Sequence, residues 1–143
     1  MSKKGILAAA KKLEEYYAQF PDWYWKTGLH DAVVLSVSTL QLYPDYKSKD
    51  RKYNCLELQL DSKGAMFESD VKKISLYNYR ITCQKMNATE EIVLDDFRNK
   101  FWLGDELKTL DNGKYELEIK FSDLKYNLLY LSVIFESAEV ERK

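Results

Sequence analysis

Apolar residues recur at three- and four-residue steps over residues 4–20: Ile6, Ala9, Ala10, Leu13, Tyr16, Tyr17 and Phe20, with Lys11, Lys12, Glu14 and Glu15 on the other side. This spacing predicts an amphipathic helix, favoured by Ala8-Ala9-Ala10 and stopped by Pro21, which turns the residue before it away from helical angles. Beyond Gly28 the period changes. Residues 32–37 are rich in β-branched side chains and predict a strand running to Tyr43, where Pro44-Asp45 breaks it. Its apolar positions shift phase from Val33, Leu35 and Val37 to Leu40 and Leu42, as one extra residue on a bulge would produce. A charged loop follows at 45–52. Residues 53–61 alternate, with Leu56, Leu58 and Leu60 on one face and Cys55, Glu57 and Gln59 on the other.

A further strand is predicted at 73–84, with Tyr77, Tyr79, Ile81 and Cys83 sharing a face. The stretch 86–96 reads either as a short helical turn or as irregular chain. Residues 100–107 read as a strand presenting Phe101, Leu103 and Leu107, weakened by Gly104. Asn112-Gly113 predicts a two-residue hairpin turn feeding Tyr115, Leu117, Ile119 and Phe121. A last strand is predicted at 128–135, extending toward Val140. No internal repeat or low-complexity linker is visible. One helix followed by strands on short loops predicts an α+β fold: a single domain over 1–143, with a helix at about 4–20 packed on an antiparallel sheet of five or six strands at about 30–140.

A chain of 143 residues can bury a sizeable core without staples. The net charge of −1 gives no global field to steer nucleic acid or an anionic membrane, so neither is expected as a partner. Charge is nonetheless uneven: residues 62–86 sum to +3 and residues 87–113 to −4. Cys55 and Cys83 make neither a disulfide framework nor a zinc pattern. With no signal peptide and no apolar run of membrane-spanning length, a reduced, cytoplasmic setting is expected, and no cofactor is implied.

Residues 23–31 concentrate the rarest chemistry. They hold the lone histidine, His30, and two of the three tryptophans. His30 beside Asp31 suggests a general base with its orienting acid, but on an extended chain the two point apart, so another carboxylate would be needed. Hydrogen bonding to backbone at the helix-to-sheet junction is the simpler role for His30. Trp23 and Trp25, two apart, would share a face and could anchor a partner, although core packing also explains them. Asp95-Asp96 and Asp105-Glu106 are acidic pairs suited to surface charge or to a basic partner. Phosphate-binding glycine loops, nucleophile elbows and zinc-protease motifs are absent.

The order Leu29-His30-Asp31-Ala32, Trp102-Leu103-Gly104-Asp105-Glu106 and Asn112-Gly113-Lys114-Tyr115-Glu116 resembles that of a family of small, uncharacterised bacterial α+β proteins with LHDA and WLxDE motifs. Some of its members resemble immunity proteins of toxin systems. The resemblance spans residues 23–140 and implies a protein partner, a toxin domain in the immunity case, with no catalytic residues to carry over. The favoured expectation is a non-catalytic protein-binding module, in its specific form an immunity protein, using Trp23, Trp25, His30, Asp31, Asp105 and Glu106. Two alternatives stay open: a small hydrolase or metal-dependent enzyme using His30 with acidic groups, and a structural homo-oligomer.

Overall fold

The computed structural model describes residues 3–25, 28–44, 47, 51–66 and 69–143. A helix, α1 (Lys3–Tyr17), precedes nine strands: β1 (Val33–Gln41), β2 (Asn54–Asp61), β3 (Val71–Tyr77), β4 (Arg80–Met86), β5 (Glu90–Glu91), β6 (Phe101–Thr109), β7 (Tyr115–Ser122), β8 (Leu128–Phe135) and β9 (Ser137–Arg142). A single 3-10 turn, Leu94–Phe97, lies between β5 and β6. The strands form one sheet in the order β5-β4-β8-β7-β6-β1-β2-β3-β9, with every ladder antiparallel. The protein is therefore mostly β. This overturns the α+β expectation of a helix packed on five or six strands.

The physical reason lies at two bends. β3 continues into β4 across only Asn78 and Tyr79, and β8 continues into β9 across Glu136. Since β3 pairs with β9 and β4 with β8, the two flanks of the sheet are arms of one bent ribbon. The sheet curls back on itself and covers its own inner face, the task expected of the helix. Leu58, Ile74, Trp102, Phe121 and Leu131, from five different strands, share one core. Of the expected apolar helix face, Ala9 and Tyr16 are exposed, while the side chains of Ile6, Ala10, Leu13 and Tyr17 lie outside those described. Most of the predicted charged loop also lies outside the described residues. No helix among the described residues is long and apolar enough to cross a membrane.

Asn78 turns the ribbon. It takes φ 52, a left-handed conformation that asparagine tolerates better than most side chains. Its N–H donates to Asn54 O (2.9 Å), and its Oδ1 accepts from Tyr53 N (2.6 Å). Its Nδ2 donates to Arg51 O and to Glu136 Oε2, both at 2.8 Å. One side chain thereby ties both bends to the start of β2.

Several local expectations shift by a residue or more. The bulge in β1 falls at Leu35, which points outward at 47% exposure while Val34 faces the core. A matching bulge in β6 falls at Leu103 and turns Trp102 and Leu107 inward. At the Asn112-Gly113 hairpin only Gly113 has positive φ (81°), and five residues rather than two join β6 to β7.

Although the sequence shows no internal repeat, the strand pairing is repeated. β1-β2-β3-β4 and β6-β7-β8-β9 follow the same pairing plan around the Val33–Phe101 pair. Asp31 N donates to Trp102 O as Asn99 N donates to Val34 O, each at 2.8 Å. Val34 N to Lys100 O (2.9 Å) is mirrored by Trp102 N to Ala32 O (2.8 Å). Asp31 (φ 72) and Asn99 (φ 64) occupy equivalent left-handed positions. The chain is thus two four-stranded units related by an approximate two-fold axis, each lending its fourth strand to the other.

Candidate functional site

An open groove of about 1080 Å³ crosses the outer face of β4, β8, β7 and β6. Strand register builds its floor in rows. Lys85, Tyr130, Lys120 and Gly104 are successive cross-strand partners, and Cys83, Ser132, Glu118 and Glu106 form the next row. Lys85 and Lys120 flank Tyr130, their Nζ atoms 5.7 and 5.9 Å from its ring centre. A Cβ built on Gly104 would meet nothing within 4 Å, so the groove has spare room there.

His30 lines this groove, as do Gly104 and Glu106. The expectation that Asp31 could not reach it is corrected, because residues 30–31 form a turn rather than extended chain. With φ 72 at Asp31, its Oδ2 lies 3.1 Å from His30 Nδ1. The alignment is nevertheless poor, since Nδ1 is buried and makes no hydrogen bond of acceptable geometry. The contact is an ion pair available to a protonated ring, not the directed bond that orients a general base. Among the described residues, no group of three or more His, Cys, Asp or Glu side chains is placed to hold a metal ion.

Asp105 and Glu106 separate completely. The β6 bulge turns Asp105 inward, where its carboxylate accepts hydrogen bonds from the Tyr24 hydroxyl, from Trp25 Nε1 (3.0 Å) and from Trp102 Nε1 (2.9 Å). Trp25 is 2% exposed and Trp102 fully buried, so Trp25 is an internal group and not a partner-facing anchor. Trp23 is half-buried and packs edge-on against Tyr115 and Phe135. Asp105 thereby fastens the aromatic segment after α1 to β6 and closes the core. Glu106 points outward into the groove. Of the six residues singled out in the sequence, His30 and Glu106 both line the groove, Asp31 stands beside His30, and Trp25 and Asp105 form the latch that Trp23 flanks.

Sequence reasoning missed the β7–β8 hairpin tip at the groove's end. Asp123 Oδ1 accepts from Lys125 N (2.8 Å) and Asn127 N (2.9 Å), and Oδ2 accepts from Asn127 Nδ2 (2.9 Å). Asn87, just past the end of β4, braces the tip, donating to Asn127 Oδ1 (3.2 Å) and accepting from Leu128 N (3.1 Å). On this braced loop Leu124 is 83% and Tyr126 92% exposed, Tyr126 at φ 65. The available signal was an Asp and an Asn framing large apolar residues in a loop.

The Asn127 side-chain bond, with the backbone donors behind it, holds the Asp123 carboxyl below its ordinary value. Because the folded value is the lower one, this contribution to stability is present above the unfolded carboxylate range. It is lost as pH falls through the depressed value. Asp123→Asn should therefore flatten the fall of the thermal midpoint below about pH 4. A melting series from acid to neutral pH that leaves the slope unchanged would remove this role.

Comparison with protein families, curated proteins and solved structures finds no match for the chain.

Proposed function

We propose that this chain is a non-catalytic protein-binding module that meets its partner with the β7–β8 tip and the adjoining groove. The observation that carries this reading is the tip itself: two large apolar side chains held almost fully in solvent by a loop fastened at both ends. Exposed tyrosine on a pre-ordered support is what an interface hot spot requires, because little further entropy is lost on docking. The groove beside it is open, and its largely apolar lining is set with the charged side chains of Lys85, Lys120, Glu106 and Glu118, a mixture that suits a protein interface. The resemblance on Leu29-His30-Asp31-Ala32 and Trp102-Leu103-Gly104-Asp105-Glu106 supports a bacterial toxin domain as the partner, with this chain as its immunity protein.

The test is calorimetric titration of this chain against the purified protein domain encoded by the neighbouring gene. A complex is expected. Tyr126→Asn, which keeps a residue suited to the left-handed turn, should weaken it about tenfold, or about 1.4 kcal/mol. Leu124→Ser should also weaken it. A complex indifferent to both substitutions would remove the tip from the interface, and no complex at all would remove the toxin partner.

A further inference from the structure

The two equivalent halves of the chain treat charge on their outer faces differently. In the first half the rows are Glu141, Lys73, Gln59, Ser36 and Glu139, Ser75, Glu57, Ser38. Lys73 Nζ lies 3.3 Å from Glu141 and 3.8 Å from Glu57, and Lys52 lies 3.2 Å from Glu139. Every carboxylate in these rows has a cation beside it. The bond from Tyr77 holds Glu139 below its ordinary value, and the bond from Lys72 does the same for Glu141. This face is complete in itself.

The matching rows of the second half are Lys85, Tyr130, Lys120, Gly104 and Cys83, Ser132, Glu118, Glu106. Here the cations cluster around Tyr130. Glu106 stands directly opposite Glu118, a like-charge pairing that costs a sheet stability. Glu118 has Lys108 at 3.5 Å, but among the described residues Glu106, Lys85 and Lys120 stand in no ion pair. The second face carries as many cations as carboxylates in these rows but, among the described residues, does not pair Lys85, Lys120 or Glu106, and Tyr130 stands where its counterpart has Lys73 between two carboxylates.

The geometry points to a partner segment that supplies the opposite charges: an extended strand with a basic side chain and a carboxylate on alternate residues. The base would sit against Glu106 and Glu118, and the carboxylate between Lys85 and Lys120 on Tyr130. The rows are two residues apart along each strand, about 6.8 Å, and the two seats lie one and a half strand spacings, about 7 Å, apart across the sheet, so a partner crossing the strands obliquely reaches both from alternate residues when its basic side chain is a long one. The open space at Gly104 gives the carboxylate's strand room to approach Lys120. This inference rests on the protein-binding reading and specifies the chemistry of the partner.

It is tested by amide chemical-shift titration of the whole chain with three pentapeptides carrying, at alternate positions, lysine and aspartate, two lysines, or two aspartates. The mixed peptide should shift the Glu106, Glu118, Lys120 and Tyr130 amides and bind at least fivefold more tightly than either like-charged peptide. Glu106→Lys should abolish that preference while raising the thermal midpoint by about 2 °C, since it removes the opposed carboxylates. Equal binding of the three peptides, shifts confined to other surfaces, or a destabilised Glu106→Lys variant would overturn the inference. Lost preference alongside an intact Tyr126-dependent protein complex would remove the charge match and leave the binding reading. A retained preference without any such complex would do the reverse.

Discussion

Asp105→Ala should lower the free energy of unfolding by about 4 kcal/mol, a large share of the 5–15 kcal/mol typical of a folded domain. The substitution leaves two indole N–H groups without their acceptor, on side chains that are 2% and 0% exposed, and releases the Tyr24 hydroxyl. Each buried donor left unmet costs roughly 1–3 kcal/mol, more when its lost partner was ionised. Asp105→Asn keeps one acceptor oxygen but aims an amide N–H₂ at the remaining donors, so about half the loss should persist. Urea unfolding followed by tryptophan fluorescence measures both, because two of the three reporters are themselves the donors. A loss below about 1 kcal/mol for Asp105→Ala would mean that water replaces the carboxylate and that the latch is not structural.

The second large effect is expected at the bend. Asn78→Ala should cost about 2 kcal/mol, because it loses three side-chain hydrogen bonds and places a Cβ-bearing residue without a polar side chain at φ 52. The bonds are exposed, which keeps the figure modest. Asn78→Gly loses the same bonds without the backbone penalty, so it should cost about 1 kcal/mol. The order of the two variants in a denaturant series separates backbone strain from hydrogen bonding. If glycine is the worse replacement, the left-handed conformation is not what asparagine supplies here.

Strands β2 and β7 were legible because each has one face in the core, so burial imposes a clean two-residue period on Leu56, Leu58 and Leu60 and on Leu117, Ile119 and Phe121. The bends left no such mark. The apolar pattern continues through Tyr79 and Ile81, and 73–84 reads as one strand although its halves pair with different partners. The fold class was missed for that reason. The repeat was hidden because the halves share pairing and not residues: Lys73 corresponds to Tyr130, and Glu141 to Lys85. At the site, Glu106 was recognisable as outward charge, whereas Asp105 is chemically the same in sequence and differs only through a bulge and donors some 80 residues away.

The approximate two-fold axis bears on how such a chain could arise. A polypeptide of half this length, ending after its fourth strand, could find in a second copy the counterpart of each main ladder. The two copies would exchange those last strands and meet at one short seam. Joining the copies end to end turns an assembly dependent on concentration into one that is not. It would also release the two copies from remaining identical, and the outer rows of this chain already differ: Tyr130 and Lys85 stand where the first half has Lys73 and Glu141.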